Sequence, residues 1–188
     1  FQLWTLAFSA PTVTTSAKRG IAQGLDGTFM FAFFIRLKLL LVISILLLGI
    51  VYILQLLEFF LLAKLLLLNV VYLLFGYLFQ ISVYEYLIAK KRFKEWGILN
   101  CFISLIAVIS SAFVAFVSKN VYYFALANLG SISVLSFFSW LWLIKTENLM
   151  RHYKNNKIDK SCLLYGLRMI PIDLLGLTAN KAAFFIIM

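Results

Sequence analysis

The sequence predicts an all-α, polytopic membrane protein with about five to six transmembrane helices, folded as a single transmembrane domain over residues 1–188. Hydrophobic residues make up 64% of the chain and charged residues only 13%, whereas soluble domains carry about a quarter charged residues. Long apolar blocks also flank one short basic stretch at residues 89–97. Such a stretch is typical of a cytoplasmic loop between two membrane spans.

The net charge of +10 is explained by membrane topology and by contact with the anionic headgroups of membrane lipids, rather than by nucleic-acid binding, because the basic residues stand next to apolar segments. Cys101 and Cys162 are too few and too far apart for a metal cluster or a disulfide framework. The chain has a single histidine, His152, which lies outside the apolar spans. This chain alone therefore cannot supply two histidine ligands to a haem within the membrane. No enzyme motif is present, so we expect neither catalysis nor a cofactor.

The first 28 residues are interpreted as the end of a span and a basic loop. Residues 1–10 are apolar and are predicted to be the tail of the second span of a longer protein, of which this chain is an N-terminal-half fragment. A processed signal segment is the alternative. Residues 11–28 carry Lys18 and Arg19 and are predicted to form a cytoplasmic loop or a short interfacial helix.

The apolar block at residues 29–88 is long enough for two spans, since one helix of this length would extend about 90 Å. The opposite charges of Glu58 and Lys64 interrupt its middle and predict a turn, with spans at about residues 35–57 and 65–88. Arg36 and Lys38 are then expected to reach the inner interface by snorkelling. In the second of these spans, polar and small residues recur on one predicted face, which should contact other helices: Asn69, Tyr72, Gly76 and Gln80.

Two further spans are predicted at about residues 98–117 and 121–144. Ala107, Ser111 and Ala115 repeat every four residues in the first and predict a close helix contact. The second contains Asn128 and ends at Trp140 and Trp142, which are expected to anchor it at the inner interface.

Positive charge alternates from loop to loop along the chain. The loops at residues 11–28, 89–97 and 145–161 are basic and are predicted to be cytoplasmic, whereas the turns near Glu58 and Lys119 carry little positive charge. A last span is predicted at residues 162–188. The predicted location is therefore the cytoplasmic membrane, crossed several times.

Three short segments carry a resemblance to a known family. Residues 22–29 read Ala-Gln-Gly-Leu-Asp-Gly-Thr-Phe, residues 87–93 read Leu-Ile-Ala-Lys-Lys-Arg-Phe, and residues 165–174 contain Tyr-Gly-Leu-x-x-Ile-Pro-x-x-Leu. In this order they resemble segments of the polysaccharide-transport flippases, the O-antigen-type branch of the MATE-like exporter superfamily. The resemblance covers nearly the whole chain, as spans two to seven of that family.

The resemblance implies a MATE-like N-terminal lobe, whose central cavity is completed by the missing C-terminal half of the same polypeptide. It implies a flippase that moves lipid-linked oligosaccharide, the repeat unit of a polysaccharide, across the membrane by alternating access. Pro171 would then bend or gate its helix. The chain departs from the family at Arg168, where members often have proline, and at Ala182 and Ala183, where an Asp-Arg pair is common.

The candidate substrate-binding residues are the cations and amides in or near the apolar spans. A lipid-linked oligosaccharide carries a diphosphate, and a charged group within a membrane is usually functional. The candidates are Arg168, Lys181, Asn69, Gln80 and Asn128.

Two alternatives stay open. Asp173 is a candidate for ion coupling, but it also lies about one helical turn from Arg168 and could be its partner. A non-catalytic structural subunit of a larger membrane complex would explain the small-residue faces and the lack of catalytic motifs equally well.

Overall fold

The computed structural model describes residues 11–155 and 158–168, and this part of the chain is all-helical, without a β-strand. The predicted all-α class is therefore confirmed for these residues, whereas the MATE-like lobe and the count of five to six spans stay predictions. In chain order the elements are α1 (Pro11–Ala22), α2 (Gly27–Leu56), α3 (Phe60–Tyr72), a π-helical turn (Leu73–Tyr77), α4 (Leu78–Ala89), α5 (Phe93–Ser118), α6 (Val121–Thr146), α7 (Leu149–Lys154) and α8 (Lys160–Arg168).

Four helices are long and apolar enough to cross a membrane: Gly27–Leu56, Phe60–Ala89, Phe93–Ser118 and Val121–Thr146. These helices coincide with four of the predicted spans, and each helix is longer than the corresponding predicted span. The largest difference is in α2, which begins eight residues before the predicted start at residue 35. Hydropathy marks the part of a helix that fits the hydrocarbon core, whereas backbone hydrogen bonding continues into the interface. The predicted tail at residues 1–10 and most of the span at residues 162–188 lie outside the described residues.

The turns between these helices are tight and share one geometry. Glu58 and Lys91 have positive φ angles of 63° and 58°, in the left-handed region that glycine usually occupies at the end of a helix. In each turn the next amide closes the helix, at 2.9 Å from Phe59 N to Leu54 O and at 2.8 Å from Arg92 N to Leu87 O. The first turn is thus centred on Glu58 as predicted, whereas Lys64 lies inside α3.

The chain divides into two compact units, and the second spans Leu37–Glu147. In this unit α6 packs along α5 and along the continuous helix formed by α3, the π turn and α4. Phe79 of α4 contacts two rings of α6, with centroids 5.2 Å from Phe137 and 5.0 Å from Trp140. Trp140 was expected to be an interfacial anchor, but this packing places it between helices, whereas Trp142 is exposed.

The exposed faces of α5 and α6 are apolar, whereas their buried faces carry small and polar side chains. Phe116 is 86% exposed and Phe138 60% exposed, whereas Ser111 and Ser136 are buried. This is the reverse of a soluble domain and fits helices whose outer faces contact lipid.

The first unit, Phe1–Arg36 with Asn148–Met188, is described over residues 11–36, 148–155 and 158–168. Here α1 packs against α8 and buries Val13, Ala17 and Ile21 completely. The predicted basic loop at residues 11–28 is therefore largely a helix, as one of its two interpretations allowed. The hydroxyl of Thr28, at the start of α2, accepts a hydrogen bond from Asp159 N at 3.0 Å.

Candidate functional site

Two of the predicted amides lie on the same membrane-length helix. Asn69 is in α3 and Gln80 is in α4, and both side chains are half-buried. Within the described residues, neither side chain makes a hydrogen bond. These two amides therefore retain donors and acceptors that a ligand or another helix can use.

The π turn between Asn69 and Gln80 interrupts the single helix face that the sequence predicted for these residues. A π turn inserts one extra residue into an α-helix, so residues after it are rotated by about 100° relative to a straight helix. The prediction that Asn69, Tyr72, Gly76 and Gln80 form one continuous face is thus wrong beyond the turn. Gly76 is buried, and a Cβ atom added there would lie 2.7 Å from Ser133 Oγ of α6. The prediction that this face contacts another helix is correct at Gly76.

Asn128 belongs to a polar seam between α5 and α6. Its Nδ2 donates to Ser111 Oγ at 3.0 Å, and Ser110 and Ser131 share a hydrogen bond of 2.8 Å. Asn128 thus binds a neighbouring helix, and its predicted role toward a substrate stays a prediction.

The predicted close-contact stripe on α5 is correct in part. Ala107 and Ser111 are buried, but Ala115 is exposed. A straight spacing of four residues drifts around a helix of 3.6 residues per turn, so the third member leaves the contact.

The remaining candidates lie elsewhere. Arg168 is exposed and is the last described residue, at the end of α8 in the first unit. Asn69, Gln80 and Asn128 all belong to the second unit. Pro171, Asp173 and Lys181 lie outside the described residues, so the proposed Arg168–Asp173 pair stays a prediction.

Sequence reasoning missed a charged network at one end of the second unit. Arg92 donates to both carboxylate oxygens of Glu95, at 2.6 and 2.5 Å, and its third nitrogen donates to Glu147 at 2.5 Å. Glu147 also accepts from the Tyr86 hydroxyl at 3.3 Å. These contacts join the ends of α4, α5 and α6.

The network is held together by electrostatics. The hydrogen bond to Glu95 raises the pKa of Arg92 well above its ordinary value. Burial opposes this increase, and the hydrogen bond to Glu147 adds to it. Arg92 therefore stays charged at any physiological pH. Arg92 and Glu147 are 55 residues apart in the chain. The one signal in the sequence that could have indicated this pair is that both residues lie beside predicted helix ends.

Arg36 also differs from its prediction. It was expected to snorkel, but only 2% of it is exposed and its Nη2 donates to Thr14 Oγ1 at 3.2 Å. The guanidinium thus contacts Thr14 of α1 rather than extending outward, whereas Lys38 is exposed and its predicted snorkelling stays a prediction. Glu85 of α4 is another buried charged residue that sequence reasoning missed.

Within residues 11–155 and 158–168, no group of three or more His, Cys, Asp or Glu side chains is placed to hold a metal ion. Comparison of the chain with models of protein families, with curated proteins and with solved structures finds no match. The likeness to flippases therefore rests on the three sequence segments alone.

Proposed function

We propose that the chain is part of a flippase that moves lipid-linked oligosaccharide across the cytoplasmic membrane by alternating access. Two things support the proposal: the resemblance of three ordered segments to polysaccharide-transport flippases, and four helices long and apolar enough to cross a membrane. In this proposal the chain is a MATE-like lobe of five to six spans, and its partner is the C-terminal half of the same polypeptide.

The observation that carries the proposal is the pair of amides at Asn69 and Gln80. A polar group that is left without a hydrogen bond in hydrocarbon is costly, so these side chains should face water, a polar ligand or another helix. An amide both donates and accepts, which suits the hydroxyl groups of a glycan. The charged diphosphate of the same substrate would need cations, and Arg168 and Lys181 are proposed for that role.

Alternating access also needs elements that bend. The π turn between Asn69 and Gln80 is a local break in helix geometry, and such turns occur frequently at functional sites. Pro171 is proposed as a second bending point and Asp173 as the ion-coupling carboxylate.

The experiment is complementation of a strain that lacks its glycan flippase by the full-length protein. Asn69→Ala combined with Gln80→Ala should lower glycan export by roughly tenfold or more, as expected when two polar contacts of about 1 kcal/mol each are lost. The matched control is Gln55→Ala, which removes an exposed amide at the end of α2. Wild-type export by the double variant, at normal protein level in the membrane, would contradict the role of the two amides.

The structural-subunit alternative is favoured by the α5–α6 seam and by the close approach of Gly76 to α6, because both serve helix packing. In that case Asn69 and Gln80 bind a helix of another subunit. The same double variant would then reduce the amount of assembled complex on native gels, and any loss of export would follow from that loss of assembly.

A further inference from the structure

The turn between α4 and α5 and the end of α6 together present a basic surface. We call it the basic rim and define it as Lys90, Lys91, Lys94 and Lys145. Lys91, Lys94 and Lys145 are exposed, and Lys90 is half-buried with its ammonium 5.7 Å from the ring centroid of Tyr86. The bond from Arg92 to Glu147 holds the end of α6, which carries Lys145, beside the α4–α5 turn.

Among the described residues, three of the four lysines of the basic rim are not paired with a neighbouring carboxylate. Both nearby carboxylates, Glu95 and Glu147, are occupied by Arg92. In the described part of the chain, Lys91, Lys94 and Lys145 make no salt bridge. These three lysines are exposed and present three positive charges at this end of the unit.

Aromatic side chains stand among these lysines. Phe93, between Lys91 and Lys94, is 58% exposed at the start of α5. Trp96, one turn further along, packs against Tyr84 with ring centroids 5.0 Å apart. Exposed lysines with an apolar ring between them and a tryptophan beside them are typical of the membrane–water interface.

We propose that the basic rim binds the headgroups of anionic phospholipids in the membrane leaflet that it faces, with Phe93 inserted among the acyl chains. These lysines lie at the ends of the membrane-length helices, so their ammonium groups lie at the depth of lipid phosphates. They are flexible point charges, suited to mobile phosphodiesters, while the one arginine of the cluster is already committed to carboxylates. The inference requires only that these helices cross a membrane and is independent of the proposed transport function.

The test uses contact quenching of Trp96 by brominated phospholipids. In a variant with Trp4→Phe, Trp140→Phe and Trp142→Phe, Trp96 is the remaining tryptophan. The chain is reconstituted into vesicles that contain brominated phosphatidylglycerol or brominated phosphatidylcholine at equal mole fraction. We expect the anionic lipid to associate at least about fivefold more strongly than the zwitterionic one, since a single surface lysine already contributes about fivefold. The preference should fall as salt is added.

Matched variants separate the basic rim from general charge. Lys91→Gln with Lys94→Gln and Lys145→Gln should abolish the preference, and the same three positions changed to Arg should retain it. Lys64→Gln with Lys119→Gln removes two exposed lysines from the opposite ends of these helices and should leave the preference unchanged.

Three outcomes would overturn the proposal. The first is equal quenching by the two lipids, and the second is a preference that survives the triple glutamine variant with normal helix content by circular dichroism. The third is loss of the preference in inorganic pyrophosphate but not in sodium chloride of equal ionic strength. That result would assign the basic rim to a diphosphate ligand rather than to membrane phospholipid.

Discussion

At the scale of single residues, Gly76 gives the sharpest prediction. A Cβ atom at this position would lie 2.5 Å from the ring of Tyr72 and 2.7 Å from Ser133 Oγ, so both neighbours would have to move. Gly76→Ala should therefore destabilise the protein by about 1–3 kcal/mol, the usual cost of overpacking. The measurement is the midpoint of unfolding in mixed detergent, followed by circular dichroism.

Gly130→Ala is the matched control, because an added Cβ at Gly130 meets no atom within 4 Å. Alanine also has the higher helix propensity, so this variant should be neutral or more stable by up to about 1 kcal/mol. If both variants unfold at the wild-type midpoint, Gly76 does not pack tightly against Tyr72 and α6.

The environments of single residues were the least predictable from the sequence. Arg36 is buried, and its guanidinium donates a hydrogen bond to Thr14, 22 residues earlier in the chain. Trp140 is packed between helices because Phe79 lies opposite it. A sequence window shows the neighbours along the chain, whereas these two positions are determined by residues far outside any window.

At the scale of elements, the α5–α6 seam predicts an asymmetry between two positions one turn apart. Ser111 is buried and accepts the hydrogen bond of Asn128, so Ser111→Leu would hold the helices apart and leave the amide without this partner. We expect a destabilisation of about 1–3 kcal/mol. The check is the fraction of folded protein in detergent at increasing temperature.

Ala115→Leu is the control for the seam, because Ala115 is exposed on the same helix. A leucine there would face the surroundings of α5 and should change stability by less than about 0.5 kcal/mol. If both variants lose the same stability, then the stripe of Ala107, Ser111 and Ala115, rather than the α5–α6 seam, determines how α5 packs.

The helices themselves could be predicted because apolar runs longer than a membrane is thick have few other stable structures. The π turn at Leu73–Tyr77 could not, since no breaker other than Gly76 marks it and the helix that packs against it, α6, lies far along the chain. That single turn is why the predicted face at Asn69 does not continue to Gln80.

At the scale of the whole molecule, loop charge predicted that the basic stretches lie on one side of the membrane, and in the second unit an ion pair connects residues from two of these stretches. The basic stretches at residues 89–97 and 145–161 were assigned to one side by counting cations. The bond from Arg92 to Glu147 joins the first stretch to the beginning of the second, at one end of the helices of this unit. A count of loop charges cannot identify this bond, because it only subtracts the negative charge of Glu147 and does not show that Glu147 pairs with Arg92.

The predicted alternation of the loops between the two sides of the membrane leads to the last prediction, which concerns the side on which each loop lies. In a background with Cys101→Ser and Cys162→Ser, single cysteines at Lys91 and Lys145 should be protected from a membrane-impermeant thiol reagent in intact cells, whereas a cysteine at Lys119 should react. All three lysines are exposed and lie at helix ends, so protection would report sidedness rather than burial. Permeabilised cells are the control, in which all three cysteines should be labelled. Labelling of the Lys91 and Lys119 positions from the same side of an intact membrane would mean that α5 does not cross it, because α5 is the element that separates the two turns.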